Sequence, residues 1–384
     1  MPQQKWKQGI DIMRIGYRIG AETRTKNLVA KGSKKINFPK VSARSLRLKT
    51  FRFTPIYKGK NMNKLRCFIL FCLCWIFVQP TLAETPRFDA MYVFGDSLSD
   101  NGNDFILDKL LGANPAVPPS ESPHRTYYLG RFSNGPVAFE YLWRLIKQNP
   151  NATVAPSLTF APPSQNGAID FAFGGAPSGL TSNTPGGFSV PGLLGQVEAL
   201  RFGLFGRKPP AQSLYAIWIG ANDYAVPVPT APQIVVGNIK LAIQRLYRIG
   251  GRQFLILNLP DLGLTPLAQS QGAGTSAALS ALSQLHNALL AQAIAELSVS
   301  HPGIKITPID VFALGQNLLG STITGFPALE TLSPGASSCL LVNPATCPDV
   351  PLKLTDPFFY WDVEHPTTYI HSKLGQAMYD ALPR

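Results

Sequence analysis

Met91-Tyr92-Val93-Phe94-Gly95-Asp96-Ser97-Leu98-Ser99-Asp100-Asn101-Gly102-Asn103 is the stretch on which the reading of the chain turns. The four apolar residues, closing the segment 87–94, have the look of a short buried strand. Gly95 lets the chain turn sharply, and a polar run rich in Ser, Asp and Asn follows at once. In a parallel sheet, ligands bind at the carboxyl ends of the strands. Such a sheet would therefore place the Ser97 hydroxyl and backbone N–H at the edge where chemistry occurs. Taken alone, Gly-Asp-Ser-Leu also suits an ordinary serine turn.

Working outward, apolar runs alternate with helical patterns. Further strands are expected at 168–173, 214–219 (LYAIWI), 254–259 (FLILNL) and 305–309, and helices at 136–147, 232–249, 275–299 and 366–382. The run 214–219 is apolar on both faces, as a central parallel strand should be. Ser133 or Asn134 is available to cap the helix at 136. Strand–helix alternation of this kind predicts an α/β fold, a three-layer α/β/α sandwich around a central parallel sheet. No biased linker or internal repeat interrupts it, so residues 84–384 are expected to form one domain.

A serine needs a base. After residue 83 the histidines are His124, His286, His301, His365 and His371. Only His365 has a carboxylate three residues before it on an expected loop, in Asp362-Val363-Glu364-His365-Pro366. Asp362 could fix the ring tautomer, leaving the other nitrogen for Ser97. Glu364, as the immediate neighbour, is the poorer orienter. His286 and His371 fall within helices and read as solvated or structural. The third strand ends in Gly220-Ala221-Asn222-Asp223, where the Asn222 amide could donate to an oxyanion, a bond worth roughly 3–4 kcal/mol of barrier; a capping or turn Asn is the plainer reading. The second strand ends in Phe173-Gly174-Gly175-Ala176, where an uncovered glycine N–H could donate too, or simply make a tight turn. Three successive strands thus deliver candidate residues to one sheet edge.

Charge does not point to nucleic acid. The chain has 384 residues and a formal charge of +13. Residues 1–61 hold 16 Lys/Arg against two acids, residues 62–83 add Lys64 and Arg66, and residues 84–384 hold 17 Lys/Arg against 20 acids. The body is thus mildly acidic at −3, and the basic balance lies in a leading extension. Residues 62–83 have the layout of a secretory signal: Lys64 and Arg66, twelve apolar residues at 67–78, then Thr81-Leu82-Ala83 as a small-x-small cleavage site. Translation is therefore expected to start at Met62, with residues 1–61 an artefact of the assigned start, without a fold. Twelve apolar residues are short for a membrane span, which needs about 20. Export fits the cysteines: Cys339 and Cys347 remain after the signal and read as a disulfide closing a small loop, worth roughly 2–3 kcal/mol. No His or third Cys lies at zinc spacing, so no metal is expected.

These blocks together resemble the GDSL, or SGNH, family of esterases and lipases. The matching phrases are GDSLSDNGN at 95–103, the glycines after the second strand, GAND at 220–223 and DVEH at 362–365, with GRFSNGPVAFEYL at 130–142, LNLPDLG at 257–263 and WDVEHPT at 361–367 in support. The resemblance covers roughly residues 88–382. It implies a flavodoxin-like α/β/α hydrolase fold with no cofactor. It also implies Ser97 as nucleophile, His365 as base, Asp362 as its orienter, and an oxyanion hole from Ser97 N–H, Asn222 and Gly175 or Gly174, with Gly175 favoured. The signal, the GRFSNGP phrase and the late cysteine pair resemble in particular a bacterial branch of secreted lysophospholipase A and glycerophospholipid:cholesterol acyltransferase enzymes. A lipid ester, and with it a membrane surface, is the expected partner.

Phe105, Phe132, Leu193, Leu194, Phe202 and Phe205 could line an acyl channel or belong to the core. The rival substrate class is short-chain or carbohydrate O-acetyl esters, and the rival class of function is an exported binding protein on a hydrolase scaffold. No G-x-S-x-G occurs, which argues against an α/β-hydrolase elbow. Gly272-Ala273-Gly274 lacks the strand a dinucleotide fingerprint needs. The Cys339–Cys347 loop is expected either to staple the fold or to overhang the site as a lid.

Overall fold

The computed structural model describes residues 86–159, 167–182, 189–225, 229–323, 339 and 343–383. The basic extension 1–61 and the signal-like stretch 62–83 lie outside the described residues.

The core of the described chain is a six-stranded, all-parallel sheet in the order β2-β3-β1-β4-β5-β6. The strands are β1 (Ala90–Gly95), β2 (Val154–Pro156), β3 (Ala168–Asp170), β4 (Ser213–Trp218), β5 (Gln253–Leu257) and β6 (Lys305–Ile309). The five longer-range expectations hold to within a few residues. The addition is β2, an edge strand of three residues ending in Pro156, too short and too proline-bearing to show a period. Without β2 the order is flavodoxin-like, with the direction of winding reversing beside β1.

Period-2 alternation decides what each face carries. Tyr92 and Phe94 of β1, Tyr215 and Ile217 of β4, and Phe254 and Ile256 of β5 point to one cluster. Met91, Val93, Ala216, Trp218, Leu255 and Leu257 point to the other. The first face is covered by helices α3 (Leu193–Gly203), α4 (Pro232–Arg248) and α6 (Ala273–Ser300), the second by α2 (Ala138–Ile146), α7 (Val311–Leu319) and α8 (Thr368–Ala381). Both β1 and β4 are buried along their whole length. Truncating a fully buried side chain such as Ile217 to Ala therefore costs about 2–5 kcal/mol.

The sequence pattern does not show α1 (Asn103–Leu110), α3, α5 (Pro266–Ser270) or α7. Reading 193–205 as loop misplaced four candidates for an acyl channel. Leu193 and Leu194 are buried in the core beneath α3, and Phe202 and Phe205 are exposed at its end. Ser133 and Asn134 do not cap α2. Glu140 reaches back to the Val137 N–H at 3.0 Å instead. Asn134 Oδ1 accepts from Thr368 N at the start of α8, and the Ser133 hydroxyl donates to Pro366 O. Both residues thus anchor the chain just after His365.

Cys339 and Cys347 form a disulfide. The segment that follows binds the 122–125 loop, with His124 Nδ1 donating to Cys347 O, Ser122 and the Arg125 N–H donating to Asp349, and Val350 N donating to Arg125 O. Among the described residues no helix is long and apolar enough to cross a membrane.

Candidate active site

Ser97 sits in the turn that closes β1. Gly95 is required there because a Cβ would come within 2.6 Å of Trp218 O and of Ser99 Oγ. The Gln196 side chain grips Gly95 from α3, accepting from its N–H at 2.9 Å and donating to its carbonyl at 2.8 Å. Asp96 O accepts the N–H groups of Ser99 and Asp100, which curls the turn, and Asp96 Oδ1 accepts the Leu98 N–H. Ser97 is left half-buried, with no hydrogen bond to its N–H among the described residues.

Asp100 ties this turn to the glycine loop after β3. Its carboxylate accepts from Gly102, Asn103 and Asp104 at the head of α1, and from Gly174 N at 3.0 Å. The Asn103 amide donates to Asp170 O and Ala172 O, both 2.9 Å away. The two glycines are therefore not equivalent. Gly174 is buried, its N–H is spent on Asp100, and a Cβ there would meet the Phe132 ring at 2.5 Å. Gly175 is exposed and left-handed at φ 70°, with open space around it and no hydrogen bond to its N–H among the described residues.

Asn222 follows β4 in a short 3-10 turn, Ala221–Asp223. One Nδ2 hydrogen goes to Ala176 O at 3.1 Å, which aims the amide and leaves its second hydrogen available. The neighbouring Asp223 carboxylate accepts from both the N–H and the hydroxyl of Ser178, each at 2.8 Å. The β3 and β4 loops are thereby locked together.

The Asp362–His365 turn faces Ser97 from the far end of the chain. His365 Nε2 lies 2.8 Å from Ser97 Oγ, and His365 Nδ1 lies 2.7 Å from Asp362 Oδ2. Asp362 Oδ1 accepts the N–H groups of Glu364 and His365, and Trp361 N donates to His365 O, so the carboxylate folds its own turn. Tyr127, which the sequence pattern does not single out, donates its hydroxyl to Asp362 Oδ2 from a buried position. Trp361 is fully buried and donates to Thr126 O at 3.1 Å. The Phe132 ring lies 5.1 Å from the imidazole.

Burial acts against charge throughout this site. It pushes the Asp362 carboxyl up, but the His365 charge and the hydrogen bonds from His365, Tyr127 and the Glu364 N–H outweigh it and hold the group below its usual range. Burial pulls His365 down, but the adjacent Asp362 charge and hydrogen bond, with Glu364 and Asp96 beyond, raise it to about 8. Burial lifts Asp96 to about 7. His286 and His371 are buried elsewhere, held neutral by that burial, with His286 Nδ1 on the Tyr224 hydroxyl.

A cavity of about 710 Å³ opens beside Ser97 and His365. Its walls are mainly apolar: Tyr224, Leu262, Leu279 and Leu282 on the α6 side, and Leu318, Phe359, Ile370 and Leu374 on the α7–α8 side. Of the six apolar residues left open between acyl channel and core, none lines it. No described residue of the disulfide loop lines it either. Among the described residues, no group of three or more His, Cys, Asp or Glu is placed to hold a metal ion.

A doubly wound parallel sheet, with a serine, an imidazole and a carboxylate in hydrogen-bonded sequence at its carboxyl edge, has the frame of a hydrolase. The family model for GDSL-like lipase/acylhydrolase matches residues 91–378, and the chain belongs to that family. It is a carboxylic ester hydrolase. Among curated relatives, it is 28% identical to a phosphatidylcholine-sterol acyltransferase of Aeromonas hydrophila over 76% of this chain and 89% of that one. It is 25% identical to a GDSL esterase/lipase of Arabidopsis thaliana over 80% of this chain and 91% of that one. A solved carbohydrate acetylesterase of Sinorhizobium meliloti aligns over 76% of this chain and 96% of its own at 12% identity, with a TM-score of 0.37.

Proposed function

We propose that the chain is an exported hydrolase of lipid acyl esters, working through an acyl-enzyme on Ser97. Ser97 Oγ attacks the ester carbonyl as His365 Nε2 takes its proton, and Asp362, steadied by Tyr127, holds the imidazole in the required tautomer. The Ser97 N–H, the Gly175 N–H and the second hydrogen of Asn222 Nδ2 receive the oxyanion; each is free of a competing acceptor among the described residues, whereas the Gly174 N–H is not. His365 returns the proton to the departing alcohol. Water, or an acceptor alcohol as in an acyltransferase, then attacks the acyl-enzyme from the same base.

The observation that carries the lipid reading is the 710 Å³ apolar cavity into which Ser97 opens. A site for acetyl groups alone has no use for leucines on two sides, and apolar lining with a few convergent polar groups is what a chain-binding site requires. The relative from Aeromonas hydrophila, an acyltransferase of a phospholipid by name, supports the same class. Export rests on the signal-like stretch 62–83, with the disulfide in accord.

The test is a panel of p-nitrophenyl esters from acetyl to palmitoyl, together with lysophosphatidylcholine and acetylated sugars, on protein starting at Glu84. A kcat/KM that rises with chain length and favours the lysolipid supports the reading. Preference for acetyl sugars would replace it with the carbohydrate esterase class. Failure of a fluorophosphonate to label Ser97 would point to a binding protein.

A further inference from the structure

One carboxylate in the cavity has no work in the mechanism above. Glu364 lines the same cavity as Ser97 and His365. Its backbone N–H is held by Asp362 Oδ1 at 2.8 Å, so its position is set by the carboxylate that orients the base. Its own carboxylate accepts no hydrogen bond from any described residue, and burial pushes its carboxyl above the usual range, opposed in part by His365. The other two carboxylates on the cavity wall are engaged. Asp96 takes the Leu98 N–H, while Asp261 takes the Gly263 N–H and the Ser280 hydroxyl. No Lys or Arg stands among the described residues that line the cavity.

The mechanism says which part of a substrate meets Glu364. His365 Nε2 must reach the leaving oxygen to protonate it, so the alcohol portion of the ester lies against His365. The acyl oxygen lies instead toward Asn222 and Gly175. Glu364 directly precedes His365 on the cavity wall, and Phe359 and Tyr360 line that cavity too. A carboxylate without a hydrogen bond in apolar surroundings is costly, and a further cation beside it offsets that cost. Aromatic faces add to the attraction for an ammonium. An anion in the same place is repelled.

We propose that Glu364 selects esters whose alcohol portion carries a primary or quaternary ammonium over their neutral or anionic isosteres. This rests on the reading of Ser97 and His365 as nucleophile and base.

The test compares butyrylcholine with 3,3-dimethylbutyl butyrate, which replaces the charged nitrogen by carbon at equal shape. Each kcat/KM is divided by the rate of alkaline hydrolysis of the same ester. Any influence of Glu364 on His365 acts on both esters alike and cancels in their ratio. The wild type is expected to favour the cationic ester by about tenfold, equal to about 1.4 kcal/mol. The ratio should fall towards one in Glu364→Gln, which keeps shape and backbone, and below one in Glu364→Lys. A wild-type ratio of one, or a ratio unchanged in Glu364→Gln, overturns the proposal. Calorimetric binding of tetramethylammonium needs no turnover and provides the second readout. Binding that Glu364→Gln abolishes, without turnover of any ester, would leave Glu364 as an ammonium site but overturn its role in ester selection together with the esterase reading. Absence of binding by the wild type overturns the proposal whatever is turned over.

Discussion

The two halves of the site are held in different ways. On the side proposed to receive the oxyanion, the loops after β1, β3 and β4 emerge from adjacent strands and are welded by buried polar groups. Asp100 joins the serine turn to Gly174, Asp223 joins Asn222's turn to Ser178, and Gln196 grips Gly95. On the side proposed for acid–base work, the Asp362–His365 turn follows described residues 343–361, among which the Pro344–Thr346 turn is the one helical element. It is fixed by its own carboxylate and by Tyr127, Thr126, Ser133 and Asn134, more than 200 residues earlier. The oxyanion side is therefore part of the fold's core, and its disruption should cost stability as well as rate. The acid–base side is a clamp on top of the fold, whose disruption should cost rate or shift its pH dependence.

The sharpest break in that contrast is Ser97→Ala. It touches neither weld nor clamp, so kcat is expected to fall by about 10⁴–10⁶-fold with the melting temperature unchanged, read by ester hydrolysis and calorimetry on one preparation. Asn222→Ala should lower kcat by about 10²–10³-fold by removing one oxyanion donor. Asp100→Ala strips four N–H groups of their acceptor at once and should destabilise by about 3 kcal/mol or more, measured by urea unfolding. Equal loss of stability on mutating Asp362 would erase the distinction between the halves.

Tyr127→Phe is the finer probe of the clamp. Asp362 keeps three of its hydrogen bonds but loses the hydroxyl that shares its charge. The expected result is about a tenfold loss in kcat/KM at neutral pH, with the limb of the pH profile moved upward because a less compensated Asp362 favours the imidazolium. A uniform loss at every pH would make Tyr127 merely structural. The smallest effect is in the wild type itself. His365 must be neutral to accept the Ser97 proton, so kcat/KM should climb with pH and level off above about 8. Stability runs the other way. A raised imidazole pKa favours the folded state fully below its unfolded value, about 6.5, and that contribution is lost as pH rises through about 8.

The frame and the residues that meet at its edge were legible in the sequence because both rest on local pattern. Runs such as 214–219 and 254–259 can only be buried strands, and strand–helix alternation admits only a parallel sheet. Asp362 and His365 sit three apart, close enough for one turn to join them. Glycine-bearing or very short elements left little period to read: α3 carries Gly195 and Gly203 and passed for a loop, which left Leu193 and Leu194 open between channel and core. Long-range contacts left no trace in spacing either. Tyr127 meets Asp362 across 235 positions, Gln196 meets Gly95 across 101, and the choice between Gly174 and Gly175 depends on which N–H Asp100 captures.

By itself, then, the sequence determined five of the six strands, which edge they present, and which serine, imidazole, carboxylate and amide arrive there, since hydrophobic period and motif spacing act within a few residues. Only the tertiary structure decided which amides lack an acceptor among the described residues, where the apolar cavity runs and that the Glu364 carboxylate faces it without a hydrogen bond from a described residue. Those follow from burial and hydrogen-bond competition, which exist only once distant segments have met.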